Sequence, residues 1–418
     1  MPTASPCMVH RVLAGPGSGK TRLIIQWLLQ RLQIGAPATS LLGITFTRKA
    51  AQEMRDRLAR HGVSAPRLCT LHALARRILV DLERCPEPFD LGTLIPRCTE
   101  VLQSGQAPAW VKSLTFIAVD EAQDLDRSQV DFLTTLHTHT ANAELLLVGD
   151  PDQAIYGFRQ ASAEYLLHAE RYFPPPIRTL CLAENHRSAR QIVEAARILL
   201  APIAPAGAPC RTLAPVRPEA HPAIRQIAAA SPTEEARRIF EEVRTFLALG
   251  IPAQEIAILI RTRAQGAILR QEARRCGVET YSPASREEGD ASATPDGPRH
   301  PGTAVTLLTM HQAKGGEWTV VFLAGCQAGI VPSPLAATPA AQAEEVRLLY
   351  VAVTRAKQLR WLCRHGAPSP CLVPVLTAFA APGVRPRLSL QRLRVWLQRA
   401  CQRAAPPVES RPQAAEVI

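Results

Sequence analysis

The stretch Ala14-Gly15-Pro16-Gly17-Ser18-Gly19-Lys20-Thr21 follows an apolar run, Cys7 to Leu13, and leads directly into residues with helical spacing, Leu23 to Leu32. The order is strand, glycine-rich loop, helix. Glycines at 15, 17 and 19 let backbone N–H groups turn inward around phosphate oxygens; Lys20 is placed to reach the β- and γ-phosphates, and Thr21 to offer its hydroxyl to Mg²⁺. Ala14 stands where the usual pattern has its first glycine. A glycine-rich turn before a helix is often only a turn, so nucleotide binding depends on what lies downstream.

Downstream, Leu41 to Phe46 reads as a second strand and Arg48 to Arg60 as its helix, stopping at Gly62. The proline-interrupted passage Asp81 to Ser113, with only short apolar pieces, reads as a small insertion. Phe116-Ile117-Ala118-Val119 is a buried-strand run ending on Asp120-Glu121-Ala122-Gln123-Asp124, and Leu145 to Val148 ends on Gly149-Asp150-Pro151-Asp152-Gln153. Polar residues therefore gather at the C-terminal edge of a parallel sheet, where α/β folds bind ligands. The first of these strands is expected beside the phosphate loop. After Asn185-His186-Arg187-Ser188 the alternation resumes: helices Ala189 to Leu200, Glu234 to Leu249 and Ala264 to Arg275, and strands Ile256 to Ile260, Val305 to Leu308 and Val320 to Leu323. A helix from Ala341 then carries Tyr350 to Arg355. This is a second α/β domain closing near Leu362. Glu287 to Gly302 reads as a loop, and Arg385 to Arg403, with six arginines and no acid, as an amphipathic helix.

The 418 residues suffice for two or three domains. Lys and Arg total 48 against 36 Asp and Glu, leaving +12, and the sequence pI is about 9.5. That balance favours a polyanionic partner over an acidic one, although a basic solvated surface gives the same number. Eleven scattered cysteines without a C-x-x-C pair suggest neither a disulfide framework nor a zinc site and read as reduced thiols. No apolar run reaches membrane-span length and Met1 to His10 lacks signal-peptide regions, so the expectation is a cytoplasmic protein without membrane contact.

Phosphoryl transfer to water needs a held Mg²⁺, a positioned water and positive charge at the γ-phosphoryl. Asp120 can hold Mg²⁺ through its hydration shell, Glu121 can polarise the water, and the Gln153 amide can donate to phosphate and accept from water. Adjacent acids at a strand end are otherwise an ordinary turn; the phosphate loop is what tips the reading.

These boxes, together with Tyr156-Gly157-Phe158-Arg159, Ile44-Thr45-Phe46-Thr47-Arg48, Thr70-Leu71-His72, Glu184 to Ser188 and Tyr350-Val351-Ala352-Val353-Thr354-Arg355, stand in the order seen in UvrD/Rep-like helicases of superfamily 1. The resemblance runs from about residue 12 to 362. It implies an α/β fold of two RecA-like parallel-sheet domains in tandem, 1–184 and 185–365, with a basic tail, 366–418. The accessory subdomains are reduced to the passages 81–113 and 282–302. It implies ATP and Mg²⁺ between the domains and DNA across their tops. Arg187 and Arg355 are then γ-phosphate ligands from the second domain, with Arg22 at the phosphates, His186 at the base, Glu317 at the ribose, and Phe46, Thr70, His72, Tyr156, Phe158, Arg159 and His311 on DNA. Taken singly, Phe46 or Phe158 would be read as core. The aromatic pair at 156 and 158 implies 3′-to-5′ movement.

Departures from the family are His186 for a usual tyrosine, Phe158 for a usual tryptophan, and no glutamine ahead of the loop to read adenine. The leading reading is an ATP-dependent translocase or helicase on single-stranded or tailed duplex DNA, serving repair, replication or mobile-element metabolism. The alternative is a nucleotide-gated DNA-binding subunit of a nuclease or defence complex, which unwinds little itself. A phosphate-loop kinase or GTPase would not need two arginine boxes in a second domain.

Overall fold

The computed structural model describes residues 8–64, 66–85, 90–140, 142–204, 213–217, 223–282 and 302–379. The chain divides into two compact units, one formed by Met1–Arg187 with Leu200–Arg217 and the other by Ser188–Leu199 with Pro218–Ile418. The division thus falls three residues later than the predicted 184/185. Residues 200–217 also return to the first unit, because Ala214–Pro215 pairs as a short parallel strand with Glu184–Asn185.

The first unit runs β1 (Val9–Ala14), α1 (Lys20–Gln33), β2 (Leu41–Thr45), α2 (Arg48–Ala59), β3 (Arg67–Thr70), α3 (Leu71–Asp81), α4 (Leu91–Gln103), α5 (Ala109–Lys112), β4 (Phe116–Val119), α6 (Arg127–Thr138), β5 (Glu144–Gly149), α7 (Glu164–Leu167), β6 (Ile177–Leu182), β7 (Glu184–Asn185) and β8 (Ala214–Pro215). Its main sheet is parallel throughout, in the order β3-β2-β4-β5-β1-β6. Strands β2, β4 and β5 are almost wholly buried because helices cover both faces, which is why they read as continuous apolar runs. One adjacency differs from expectation. The strand carrying Asp120 does not lie beside β1; β5 intervenes, pairing β1 on one side and β4 on the other. On the side of the acidic strand ends, the immediate neighbour of the phosphate loop is therefore the end of β5, at Gly149-Asp150.

The passage 81–113 is more than a reduced insertion. Asp90 caps α4 by accepting from the Gly92 N–H at 3.2 Å, and Leu94, Ile95, Cys98, Val101 and Leu102 bury into the same core as α3 and α6. Pro96 sits inside this helix. It cannot donate to the Gly92 carbonyl, a local cost that the apolar face outweighs.

The second unit runs α8 (Arg190–Leu200), β9 (Ile224–Ala228), α9 (Pro232–Ala248), β10 (Ile256–Ile260), α10 (Arg263–Arg275), β11 (Thr280–Tyr281), β12 (Val305–Thr309), β13 (Trp318–Leu323), α11 (Pro339–Val353), β14 (Ala356–Arg364) and α12 (Val373–Ala378). Its sheet is also parallel, ordered β11-β12-β10-β13-β14-β9. Phe240, Val243, Phe246, Ile258, Val320 and Phe322 form the centre of its core. Arg385 to Arg403 and nearly all of the loop Glu287 to Gly302 lie outside the described residues.

The reduced-thiol expectation fails at one position. Cys181 is disulfide-bonded. The other seven described cysteines are free. Among the described residues no helix is long and apolar enough to cross a membrane.

Candidate nucleotide site and aromatic ledge

The phosphate loop leaves the C-terminal end of β1 and closes on α1. Gly17 (φ 68°) and Gly19 (φ 91°) both take the left-handed backbone that glycine adopts without cost. A Cβ on Gly17 would also meet the Arg187 Cβ at 2.5 Å. Gly19 is the N-cap of α1 and offers no side-chain acceptor, and the first turn carries no acid. By helix geometry the N–H groups of that turn have no intrahelical partner, which suits a bound anion. The Lys20 ammonium lies across the loop, donating to the Ala14 carbonyl at 3.2 Å and the Gly15 carbonyl at 3.4 Å. Ser18 Oγ donates to the Gly15 carbonyl at 2.7 Å, while Thr21 is half-buried and Arg22 exposed on the first turn.

Around this loop the sheet edge supplies a buried polar network. Asp120 accepts from the Glu121 N–H at 3.0 Å and is 8% exposed. Burial, then the charge of Glu121, pushes its carboxyl up to about 7, with Lys20 opposing. Burial likewise raises Asp150, again against Lys20. Two acids made costly to ionise and facing one lysine form a donor set that a divalent cation would relieve. Glu121 itself sits at φ 53°, an uncommon conformation for a residue with a side chain, of the kind that clusters at functional sites.

Three residues that the motif reading left without a role hold the network together. Gln123, fully buried, donates from Nε2 to Glu121 Oε2 at 2.5 Å and accepts the Asp150 N–H on Oε1 at 2.9 Å. A Cβ on Gly149 would run into that same Oε1, so glycine there keeps the bridge open. Asp150 accepts from Gln153 Nε2 at 2.7 Å and from the Asp152 N–H at 3.1 Å. Asn185, 1% exposed, donates from Nδ2 to the Pro16 carbonyl at 2.6 Å and accepts the Arg187 N–H at 3.1 Å, while the His186 N–H donates to the Gly17 carbonyl at 2.9 Å. Arg187, expected in the second domain, is therefore mounted on the phosphate loop within the first unit. His186 is exposed and lies 3.3 Å from Glu184. In the sequence these two residues are marked only by position, Gln123 within Asp120 to Asp124 and Asn185 within Glu184 to Ser188.

The aromatic residues assemble as well. Phe46, just past β2, stacks on Tyr156 at 5.5 Å and 12°; Tyr156 meets Phe158 edge-on at 6.0 Å. The Arg159 guanidinium lies 5.6 Å and 5.7 Å from the Tyr156 and Phe158 ring centres. Phe158 is 66% exposed, which contradicts a core reading. Thr70 pairs in register with Thr45 at the same sheet edge and caps α3, accepting the Ala73 N–H at 3.3 Å; His72 is half-buried on that helix.

In the second unit, Arg355 is 2% exposed and donates to the Val351 carbonyl at 2.9 Å, the Gly316 carbonyl at 3.3 Å and Thr354 Oγ1 at 3.3 Å. Glu317 lies 3.8 Å from Lys357, which also pairs with Glu255 at 3.2 Å. Burial, then the charge of Arg261, lowers the His311 imidazole to about 4, so it is neutral at pH 7.

Residues 2–159 match the AAA domain family and residues 292–365 the UvrD-like helicase C-terminal domain. A probable DNA helicase of Mycoplasma pneumoniae is 28% identical over 280 residues, covering 66% of this chain and 48% of the relative. DNA helicase II of Haemophilus influenzae is 23% identical, covering 66% and 49%. The ATP-dependent DNA helicase Rep of Escherichia coli is 25% identical, covering 47% and 41%. The chain thus spans about half the length of the curated relatives it matches. A phosphate loop with its acidic strand ends, an adjoining aromatic cluster and these matches in both units lead to one conclusion: the chain is similar to the UvrD/Rep-like helicases.

Proposed function

We propose that the chain is an ATP-dependent motor on single-stranded DNA that moves 3′ to 5′. The observation that carries this reading is the segment 149–159. Its first half, Gly149 to Gln153, belongs to the acidic network beside the phosphate loop, and its second half, Tyr156 to Arg159, forms the aromatic ledge. Nucleotide chemistry and a base-stacking surface share one short piece of backbone in one unit.

In this reading the loop amides and Lys20 bind the phosphates, with Arg22 assisting. Thr21 and Asp120 would hold Mg²⁺, which would supply positive charge at the phosphates. Glu121 takes the proton from the attacking water, Gln153 orients that water, and Arg187 meets the γ-phosphoryl from its mount on the loop. Arg355 and Glu317 carry the phosphate and ribose roles that motif position gives them. His186 faces the base. Phe46, Tyr156 and Phe158 stack on bases whatever the sequence, Arg159 adds a cation to the same ledge, and Thr70, His72 and His311 complete the strand contacts.

A tracking assay tests polarity. Single strands blocked at one end by a displaceable protein should lose the 5′ block faster than the 3′ block under ATP. Equal or reversed rates would remove the polarity claim. An unwinding assay on a 3′-tailed duplex, run beside it, separates a helicase from a translocase serving a repair or nuclease partner. The account expects tracking with poor unwinding of long duplexes, since strand separation costs a mean of about 1.4 kcal/mol per step and also requires the strands to be kept apart.

A further inference from the structure

Gln123 touches both Glu121 and the start of the segment leading to the ledge. Its amide is used at both ends: the nitrogen holds the Glu121 carboxylate at 2.5 Å and the oxygen holds the Asp150 N–H at 2.9 Å. It is fully buried, and Gly149 admits its close approach because a Cβ there would lie 2.4 Å from the Gln123 Oε1. From Asp150 the chain passes through one tight turn, Pro151–Gln153, tied to the Asp150 carboxylate by the Asp152 N–H and the Gln153 amide. It then reaches Tyr156, whose ring rests directly on Phe46. Only five residues separate the Gln123 contact at Asp150 from Phe46's partner at 156, and Ile155 between them is fully buried.

We infer that Gln123 is a positioning residue that couples occupancy of the aromatic ledge to the orientation of Glu121. The inference rests on the ledge being the nucleic-acid platform. A base that enters between Phe46 and Tyr156 does so only by moving the rings apart. Movement of Tyr156 pulls on a segment fixed by hydrogen bonds as far back as Asp150. Because the Asp150 N–H and the Glu121 carboxylate share one amide, a shift at the first redirects the second. The carboxylate held by Gln123 in the DNA-free chain is thereby turned toward or released onto the water when a strand binds. Gln153 lies on the same path through its bond to Asp150, and Gln123 supplies the step to Glu121.

The test uses the full chain and a thymidine oligonucleotide. ATP turnover is measured with and without the oligonucleotide for the native chain, Gln123→Met and Gln123→Glu, alongside ATP KM, oligonucleotide affinity and thermal midpoint. Gln123→Met keeps the volume and removes both hydrogen bonds. Gln123→Glu keeps the side chain's shape and the acceptor for the Asp150 N–H and removes the amide donor to Glu121, a second variant read independently of the first. Expected is a loss of about tenfold or more in DNA-stimulated turnover in both, the scale of a misplaced general base, with basal turnover falling less and ATP KM and oligonucleotide affinity nearly unchanged. Native stimulation in either folded variant overturns the relay. So does an equal drop in basal and stimulated turnover, the result of a purely structural role. If the native chain binds the oligonucleotide yet shows no stimulation, the motor reading itself fails and takes the relay with it.

Discussion

Replacing Asn185 with Ala should detach Arg187 from the phosphate loop. The side chain is 1% exposed and makes two hydrogen bonds, at 2.6 Å to the Pro16 carbonyl and at 3.1 Å from the Arg187 N–H. Removing both leaves a buried carbonyl and a partly buried N–H to find other partners, a stability loss of about 2 to 4 kcal/mol. The larger effect is on rate. An arginine at the transferred phosphoryl is worth about 10³ to 10⁵ in related chemistry, and misplacing a reacting group by about 1 Å costs about 100-fold. Asn185→Ala should therefore lower kcat about 100-fold, less than Arg187→Ala, which removes the cation outright. The assay is steady-state ATP turnover for the two single variants and the double, below the lowest thermal midpoint. If Arg187 acts through this mount, adding Asn185→Ala to Arg187→Ala should cost almost nothing further. A kcat near native for Asn185→Ala, or full additivity in the double, would refute the argument that Asn185 positions Arg187.

Four further outcomes are expected. Glu121→Gln should abolish turnover while retaining nucleotide, because Lys20, Thr21 and Asp120 are untouched, whereas Lys20→Ala should lose both; normal hydrolysis by Glu121→Gln would remove it as the base. Phe158→Ala should weaken single-stranded DNA binding by about 1 to 3 kcal/mol without changing ATP affinity in the absence of DNA, and unchanged DNA affinity would take Phe158 off the ledge. With His186 exposed and paired to Glu184 rather than buried against a base, GTP and dATP should serve nearly as well as ATP; a preference beyond about 100-fold counts against this. Asp120 titrates near 7 when folded, against an ordinary 3.8. The folded chain thus holds more protons than the unfolded between about pH 4 and pH 7. The penalty for ionising Asp120 is absent below that window and complete above it, so the stabilisation gained by Asp120→Asn in metal-free buffer should shrink from pH 8 to pH 6. A gain independent of pH would show that Asp120 is already ionised throughout.

Much of this architecture is legible because it is local. The phosphate loop, both acidic strand ends and strands such as Phe116–Val119 and Ile256–Ile260 declare themselves through runs of neighbouring residues. What escaped is long-range or lies at an edge. Strands β6 and β9 end their sheets and are only partly buried, so their sequences mix polar and apolar residues and give no continuous run. The α4 helix hides behind Pro96, whose penalty is overcome only by burial against α3 and α6. The roles of Gln123 and Asn185 come from partners 27 and 169 residues away. No spacing rule connects Asn185 to Pro16. The insertion of β5 between β4 and β1 is likewise a matter of crossover order, to which strand composition is indifferent.

The central claim is that the acidic network beside the phosphate loop is an ATPase governed by the aromatic ledge. Its most direct test is the steady-state rate of ATP hydrolysis by the full chain, with Mg²⁺, in the presence and absence of saturating single-stranded DNA. The account predicts a strong rise in turnover on adding DNA, abolished by Lys20→Ala. Hydrolysis at the same rate with and without DNA, by a chain shown to bind it, would contradict the claim.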